Sequence, residues 1–268
     1  MEKIPFYRAP FKGTLHYENG IHAIIRALES CYANCDVPLG NQALARQRAL
    51  RNEHAWYLSI YGCPLVQGKI DGEKVILFDD RVVDASHLED HPLLNPAFLR
   101  DHWSSIRNGA LAVPREYFSA LVELSRTPAS GVRKLSYRDL RGINRDIDVT
   151  EAATDLSFVA FTGLSDAEKE LYLKEQRNRG SYTIVLSCTL KDAEQETPMG
   201  SLSAFNNSNV LCCSNPLNLT SALLIGVPAS LASSSAESAA KKEMLAAYLE
   251  KYVPRACLEE CLAGLPTE

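Results

Sequence analysis

No apolar stretch in this 268-residue chain approaches the roughly 20 residues that carry a helix across a bilayer; runs such as 221–228 (SALLIGVP) fall far short. The opening MEKIPFYRAPFKG has no apolar core of the secretory type and no Arg-rich, acid-poor amphipathic pattern of a transit peptide. These absences predict an intracellular, soluble chain that does not meet a membrane; if the protein works in an organelle, its presequence is either already removed or not recognisable in the sequence. An excess of basic charge is missing too. The net charge is −5 and the pI about 5.8, which excludes a surface that grips nucleic acid all round, because phosphate binding draws on clustered Lys and Arg. Gly-rich phosphate loops and internal repeats are also lacking. The eight cysteines form no dense framework and no secretory signal accompanies them, so most of them read as reduced, small apolar residues.

What is present suits a folded core: 46% apolar and 23% charged residues. Residues 15–34 carry Ile21, Ile24, Ile25, Leu28 and Tyr32 at helical spacing. Residues 41–61 predict a second helix, stopped by Gly62 and Pro64. VQGKIDGEKVILF predicts a hairpin about Asp71-Gly72. Helices follow over 97–107 and after Pro114, and 127–135 (TPASGVRKL) predicts a loop or partial linker. Beyond it, Ser165 and an acidic first turn open a charged helix over 165–179 that Gly180 ends. Three β-prone runs come next, 182–190, 201–213 (broken at Asn206-Asn207-Ser208) and 219–227. A final helix over about 236–252 closes the series.

That α-β-β-β-α order resembles the double-stranded-RNA-binding domain over roughly 166–253. LYLKEQRNRGSYTIVLS supplies its opening helix and the Tyr182 that leads its first strand. Ser238, Ala246, Ala247 and Leu249 match its last helix. The family's paired lysines are Ala239 and Ala240 here, with Lys241 and Lys242 two positions later. The loop Lys191–Pro198 is acidic where the family meets a minor groove. The first half resembles the ribonuclease III family in three stretches: YENGIHAIIRALESCYAN, the Asn52–Tyr61 segment with its Asn-Glu, aromatic and Leu, and Glu116–Leu121 with its Phe and Ala-Leu. These nucleases hold hard divalent metals on carboxylates. The resemblance puts Trp56, Ile60 and Ser119 at ligand positions, and only Glu116 survives as a carboxylate. One acid in four cannot hold a metal pair, so the resemblance implies a catalytically dead domain.

The fold class expected is therefore α+β: a mostly helical, degenerate ribonuclease III-like domain over 15–160, with a β insertion near 65–85, then a double-stranded-RNA-binding-like domain over 165–255. The resemblance implies a noncatalytic RNA-associated scaffold subunit of a ribonucleoprotein, such as a mitochondrial ribosomal large subunit or an RNA-processing complex. Its partners would be structured or ribosomal RNA and other protein subunits, including a ribonuclease III-like partner with which it dimerises. RNA contacts are expected from Lys174, Arg177, Ser238, Lys241 and Lys242, with no catalytic residue, metal or cofactor. The alternative from the residues themselves is a hydrolase or transferase using a His/Cys site, for instance Cys31 or Cys35 with His54. His87 and His91, four apart, read as a pre-proline surface turn rather than a metal site. Cys31/Cys35 and Cys257/Cys261 could bind zinc if brought together, but read as separate thiols.

Overall fold

The computed structural model describes residues 14–49, 60–83, 85–127, 130–140, 144–187, 197–205, 210–215, 217 and 221–228. Among them run eleven strands and six α-helices. The strands are β1 (Thr14–Asn19), β2 (Asp36–Pro38), β3 (Ile60–Ile70), β4 (Glu73–Asp79), β5 (Leu111–Ala112), β6 (Val132–Ser136), β7 (Asn144–Asp148), β8 (Thr183–Ser187), β9 (Met199–Phe205), β10 (Val210–Asn215) and β11 (Ser221–Pro228). The helices are α1 (Ala23–Ala33), α2 (Asn41–Ala49), α3 (Pro96–Asp101), α4 (Arg115–Leu124), α5 (Leu156–Thr162) and α6 (Asp166–Asn178).

The strands form two sheets. The larger has the order β6-β4-β3-β9-β10-β8-β7, with β5 paired to β9, and the smaller is β1-β11-β2. All pairings are antiparallel except β10 with β8. The hairpin about Asp71-Gly72 pairs Leu65 with Phe78 through Ile70 with Glu73. Residue alternation along these strands splits the apolar groups between two cores, since successive side chains point to opposite faces. Leu65, Ile76 and Phe78 join one core with residues of α2, α5 and α6. Val66, Val75 and Leu77 join the other, with residues of α1, α3 and α4. β3 and β4 are thus buried on both faces, which explains their near-continuous apolar sequence. Pro64, unable to donate to a ladder, sits where the β3–β9 register shifts.

Buried charge locks this frame. Asp80 Oδ1 accepts from the backbone N–H of Asn41 at 2.7 Å and Oδ2 from that of Gln42 at 3.0 Å, satisfying first-turn donors of α2. Arg133 pairs with Asp80 and donates to the Ala160 carbonyl at 2.6 Å, an orphan acceptor at the end of α5. One ion pair therefore joins the start of one helix to the end of another across the β4–β6 pair. Asp79, beside it, accepts from Arg81 Nε at 2.7 Å and from the Tyr117 hydroxyl at 2.9 Å. His91 Nδ1 stands 3.4 Å from Asp79 Oδ2. Burial alone pushes the Asp79 carboxyl up, but the Arg81 guanidinium and the His91 imidazole outweigh it and hold it well below the usual carboxylate range.

This architecture corrects the expected fold class. The first half is not mostly helical: Thr14–Asn19, Ile60–Ile70, Val132–Ser136 and Asn144–Asp148 are all strands. Ile60 and Tyr61, expected at the end of a helix, open β3, and the expected linker at 127–135 runs into β6. The three late β-prone runs do form strands, but not one antiparallel sheet. β8 lies parallel to β10, β9 pairs with β3, and β11 leaves to lie between β1 and β2. Strands from either side of residue 165 share both sheets. The physical reason is that a strand's partner is chosen by which apolar face it must bury, and the element order alone does not encode that choice.

Candidate functional site

α6 carries one of the residue stripes that bound an open cleft. Ser165 caps it, accepting from Glu168 N–H while the Glu168 carboxylate accepts from Ser165 N–H at 2.8 Å. Tyr172, Leu173 and Gln176 face inward, and Arg46 Nε donates to Glu168 at 2.8 Å, tying α6 to α2. Along the rim, Asp166, Lys169, Glu170, Leu173 and Arg177 follow one another at helical spacing. The opposite wall is Val149, Thr150, Ala153 and Thr154, from the turn after β7. Together they enclose about 430 Å³, a volume suited to a small ligand.

The floor of this cleft is apolar, because Val149 and Leu173 belong to the core and Ala153 packs on it. Its charges are ordered. Lys169 is engaged, with Nζ 2.6 Å from Asp166 Oδ1 and donating to the Ala153 carbonyl at 3.2 Å. Glu170 and Arg177 are both exposed, and their side chains make no hydrogen bond or ion pair with the described residues. A second cleft, about 470 Å³, lies beside the Asp71-Gly72 turn; there the Glu73 carboxylate already faces Arg138 at 3.6 Å and accepts from the Ser136 hydroxyl at 2.6 Å.

A different cluster has the parts of a nucleophile relay. His16 Nδ1 is 3.0 Å from Ser30 Oγ, and His16 Nε2 is 3.2 Å from Asp36 Oδ2. A carboxylate only accepts, so Nε2 carries a proton toward Asp36; in the neutral ring Nδ1 then accepts from the serine hydroxyl. The three groups come from β1, α1 and β2 and meet over Gly226 of the intervening strand β11, where a Cβ would stand 2.6 Å from His16 Nε2. An acyl-transfer site must also place donors where an oxyanion forms. Ser30 sits in the last turns of α1, where the helix presents carbonyls rather than N–H groups, and Asp36 adds negative charge. The cluster fits a strut that fastens β1 and α1 to β2 far better than it fits a catalyst.

The residues singled out from sequence are scattered. Lys174 and Arg177 are exposed on α6, and only Arg177 lines the cleft. Ser238, Lys241 and Lys242 lie outside the described residues, as do His54, Trp56, Cys257, Cys261 and the acidic loop at 191–196. Ile60 opens a strand, whereas Glu116 and Ser119 are exposed on α4. His87 is exposed and His91 buried against Asp79, with a 3-10 turn over Leu88–Asp90 between them. Cys31 is buried and Cys35 exposed. Burial, then the Asp36 charge, pushes the Cys31 thiol up to about 12, so it is a neutral thiol rather than a thiolate near pH 7. Among the described residues no group of three His, Cys, Asp or Glu side chains could hold a metal ion, and no helix is long and apolar enough to cross a membrane. His16, Ser30 and Asp36 were not singled out from sequence, and no local pattern announces them. The cleft had one legible signal, the helical stripe from Asp166 to Arg177.

No family model and no curated protein matches this chain. A solved structure described as "Accommodation of massive sequence variation in Nanoarchaeota by the C-type lectin fold" does match, with a TM-score of 0.65 and 18% identity. It covers 83% of this chain and 100% of its own. At that identity the likeness shows the fold alone: this is an α+β chain that adopts the C-type lectin fold. The ribonuclease III and double-stranded-RNA-binding resemblances are overturned by it: the helices Ala23–Ala33, Arg115–Leu124 and Asp166–Asn178 that carried them form, but they pack on sheets of a different architecture. The keywords that followed from them, RNA binding, pseudoenzyme, ribonucleoprotein and mitochondrion, lose their basis with that resemblance.

Proposed function

We propose that this protein is a binding module that uses a C-type lectin scaffold to present a ligand surface at the α6 cleft. The observation that carries this reading is the fold likeness, since the matched structure is described as accommodating massive sequence variation. A scaffold that does so must keep its core independent of the surface it offers. The same separation supports the reading here. The buried pairs of Asp79 and Asp80 hold β4, β6, α2 and α5 together, while Thr150, Glu170 and Arg177 line an open cleft and contribute none of those ties.

The test pairs binding with stability. Alanine at Thr150, Glu170 and Arg177 together should leave Tm nearly unchanged, each surface change being worth within about 0.5 kcal/mol. The same triple variant should lose the ligand class that the full chain captures on peptide and glycan arrays. A large fall in Tm would show that the cleft is structural. Turnover of ester or phosphodiester substrates, abolished by Ser30→Ala, would make the protein an enzyme. Capture of duplex RNA, abolished by Lys174→Glu with Arg177→Glu, would return it to RNA. Either result would overturn the proposal.

A further inference from the structure

Resting on that binding reading, we infer that the α6 cleft takes a short extended peptide with free ends and apolar side chains. Its ammonium end would lie by Glu170, and its terminal carboxylate on Arg177. Three observations converge on this occupant. The floor formed by Val149, Ala153 and Leu173 is apolar, and so suits side chains rather than a sugar or phosphate. The two cleft charges not engaged within the described residues, Glu170 and Arg177, have opposite sign and stand seven residues apart on one helical stripe. A guanidinium offers a fork that matches a carboxylate in bidentate fashion.

The spacing fixes the length. Glu170 and Arg177 are seven residues apart, so their backbone positions are separated by about 10.5 Å along the helix axis at 1.5 Å per residue. An extended chain spans at most about 3.3–3.6 Å per residue, so three residues fill the interval. The wall opposite α6 sharpens the fit. The residues that line the cleft from that side, Val149, Thr150, Ala153 and Thr154, are uncharged, so the charges among the lining residues all come from α6. A peptide lying parallel to α6, amino end toward Asp166, meets an attractive charge at both ends. The reversed peptide meets repulsion at both.

The experiment is a titration of the full chain with the tripeptide Ala-Leu-Ala, followed by calorimetry and by backbone amide shifts. Saturable binding is expected, with shifts at Thr150, Glu170, Leu173 and Arg177. Amidating the peptide's C-terminus should weaken it at least tenfold, and Arg177→Gln should weaken the free-acid peptide to the same degree. In Arg177→Gln the amidated and free peptides should then bind alike. Acetylating the N-terminus and Glu170→Gln should form the matching pair at the other end. Lys174→Gln, off the lining, should change nothing. Equal affinity for free and amidated peptides in the unaltered chain would overturn the inference, as would full binding by Arg177→Gln. If no tripeptide binds while the arrays capture another ligand class, the inference fails and the binding reading stands. If the arrays capture nothing, the binding reading itself has failed.

Discussion

At the scale of single residues, two positions show how tightly this chain is constrained where strands meet charge. Gly226 is there because the His16–Asp36 pair crosses over β11: an added Cβ would lie 2.6 Å from His16 Nε2 and 2.8 Å from Asp36 Cβ. Gly226→Ala should therefore destabilise the protein by about 1–3 kcal/mol through overpacking, read as a lower midpoint in urea. Adding His16→Ala should recover part of that loss, because the two changes act on one contact. Asp79 sets an acid limit. Its folded carboxyl is held below the ordinary value of about 3.9, so its contribution is fully present above that value and is lost as pH falls through the folded pKa. The gap in Tm between the natural chain and Asp79→Asn should stay constant from pH 7 to about pH 5 and shrink below pH 4. A gap that widened toward acid would mean that Asp79 is not charged in the folded state.

At the scale of elements, α6 shows local chemistry and tertiary packing agreeing. Its Ser165 cap and acidic first turn were legible, and the structure shows both bonds of a capping box between Ser165 and Glu168. Glu168 also meets Arg46 of α2, so one side chain serves the helix start and the helix–helix contact. Ser165→Ala should cost about 0.5–2 kcal/mol, the usual range for an N-cap, and Ser165→Asp should retain most of that stability. A thermal melt of the three proteins decides it; equal melting of all three would place the stability of α6 in its packing alone. The helices α1, α2 and α4 were likewise visible from apolar spacing, with boundaries shifted where strands intrude. β1 and β7 escaped notice because TLHYEN and NRDID carry too few apolar residues to advertise a strand. They pair because a neighbour offers them an edge, not because their own propensity demands it.

At the scale of the whole molecule, the decisive feature is that both sheets draw strands from the two ends of the chain. β3 is sandwiched between β4 and β9, and β11 between β1 and β2. Neither 1–160 nor 165–268 can then complete a sheet alone. Expressed separately, each piece should lack cooperative unfolding and dispersed amide signals, whereas the two mixed together should regain some of both. Independent folding of 165–268 would contradict the shared sheets. Non-local pairing of this kind also predicts slow folding, because loop closure must precede the contacts that reward it.

The sequence by itself determined a mixed α and β chain with enough apolar surface for a core, most of its helices, the hairpin at Asp71-Gly72 and the three late β-prone runs, which hold the four strands β8 to β11. These follow from local physics: residue spacing, caps, and the turn preference of Asp-Gly. Tertiary structure alone decided which strands became neighbours, and that choice overturned the family resemblance drawn from the element order. It also decided the sites. Arg177 and Glu170 are ordinary surface residues until the turn at Val149–Thr154 closes a cleft against them. Asp79 and Asp80 become structural only when Arg81 and Arg133 reach them in the interior. A short-range pattern can specify how a segment bends. It cannot specify which distant segment will exclude water from its buried face, because that free energy belongs to the pair and not to either member.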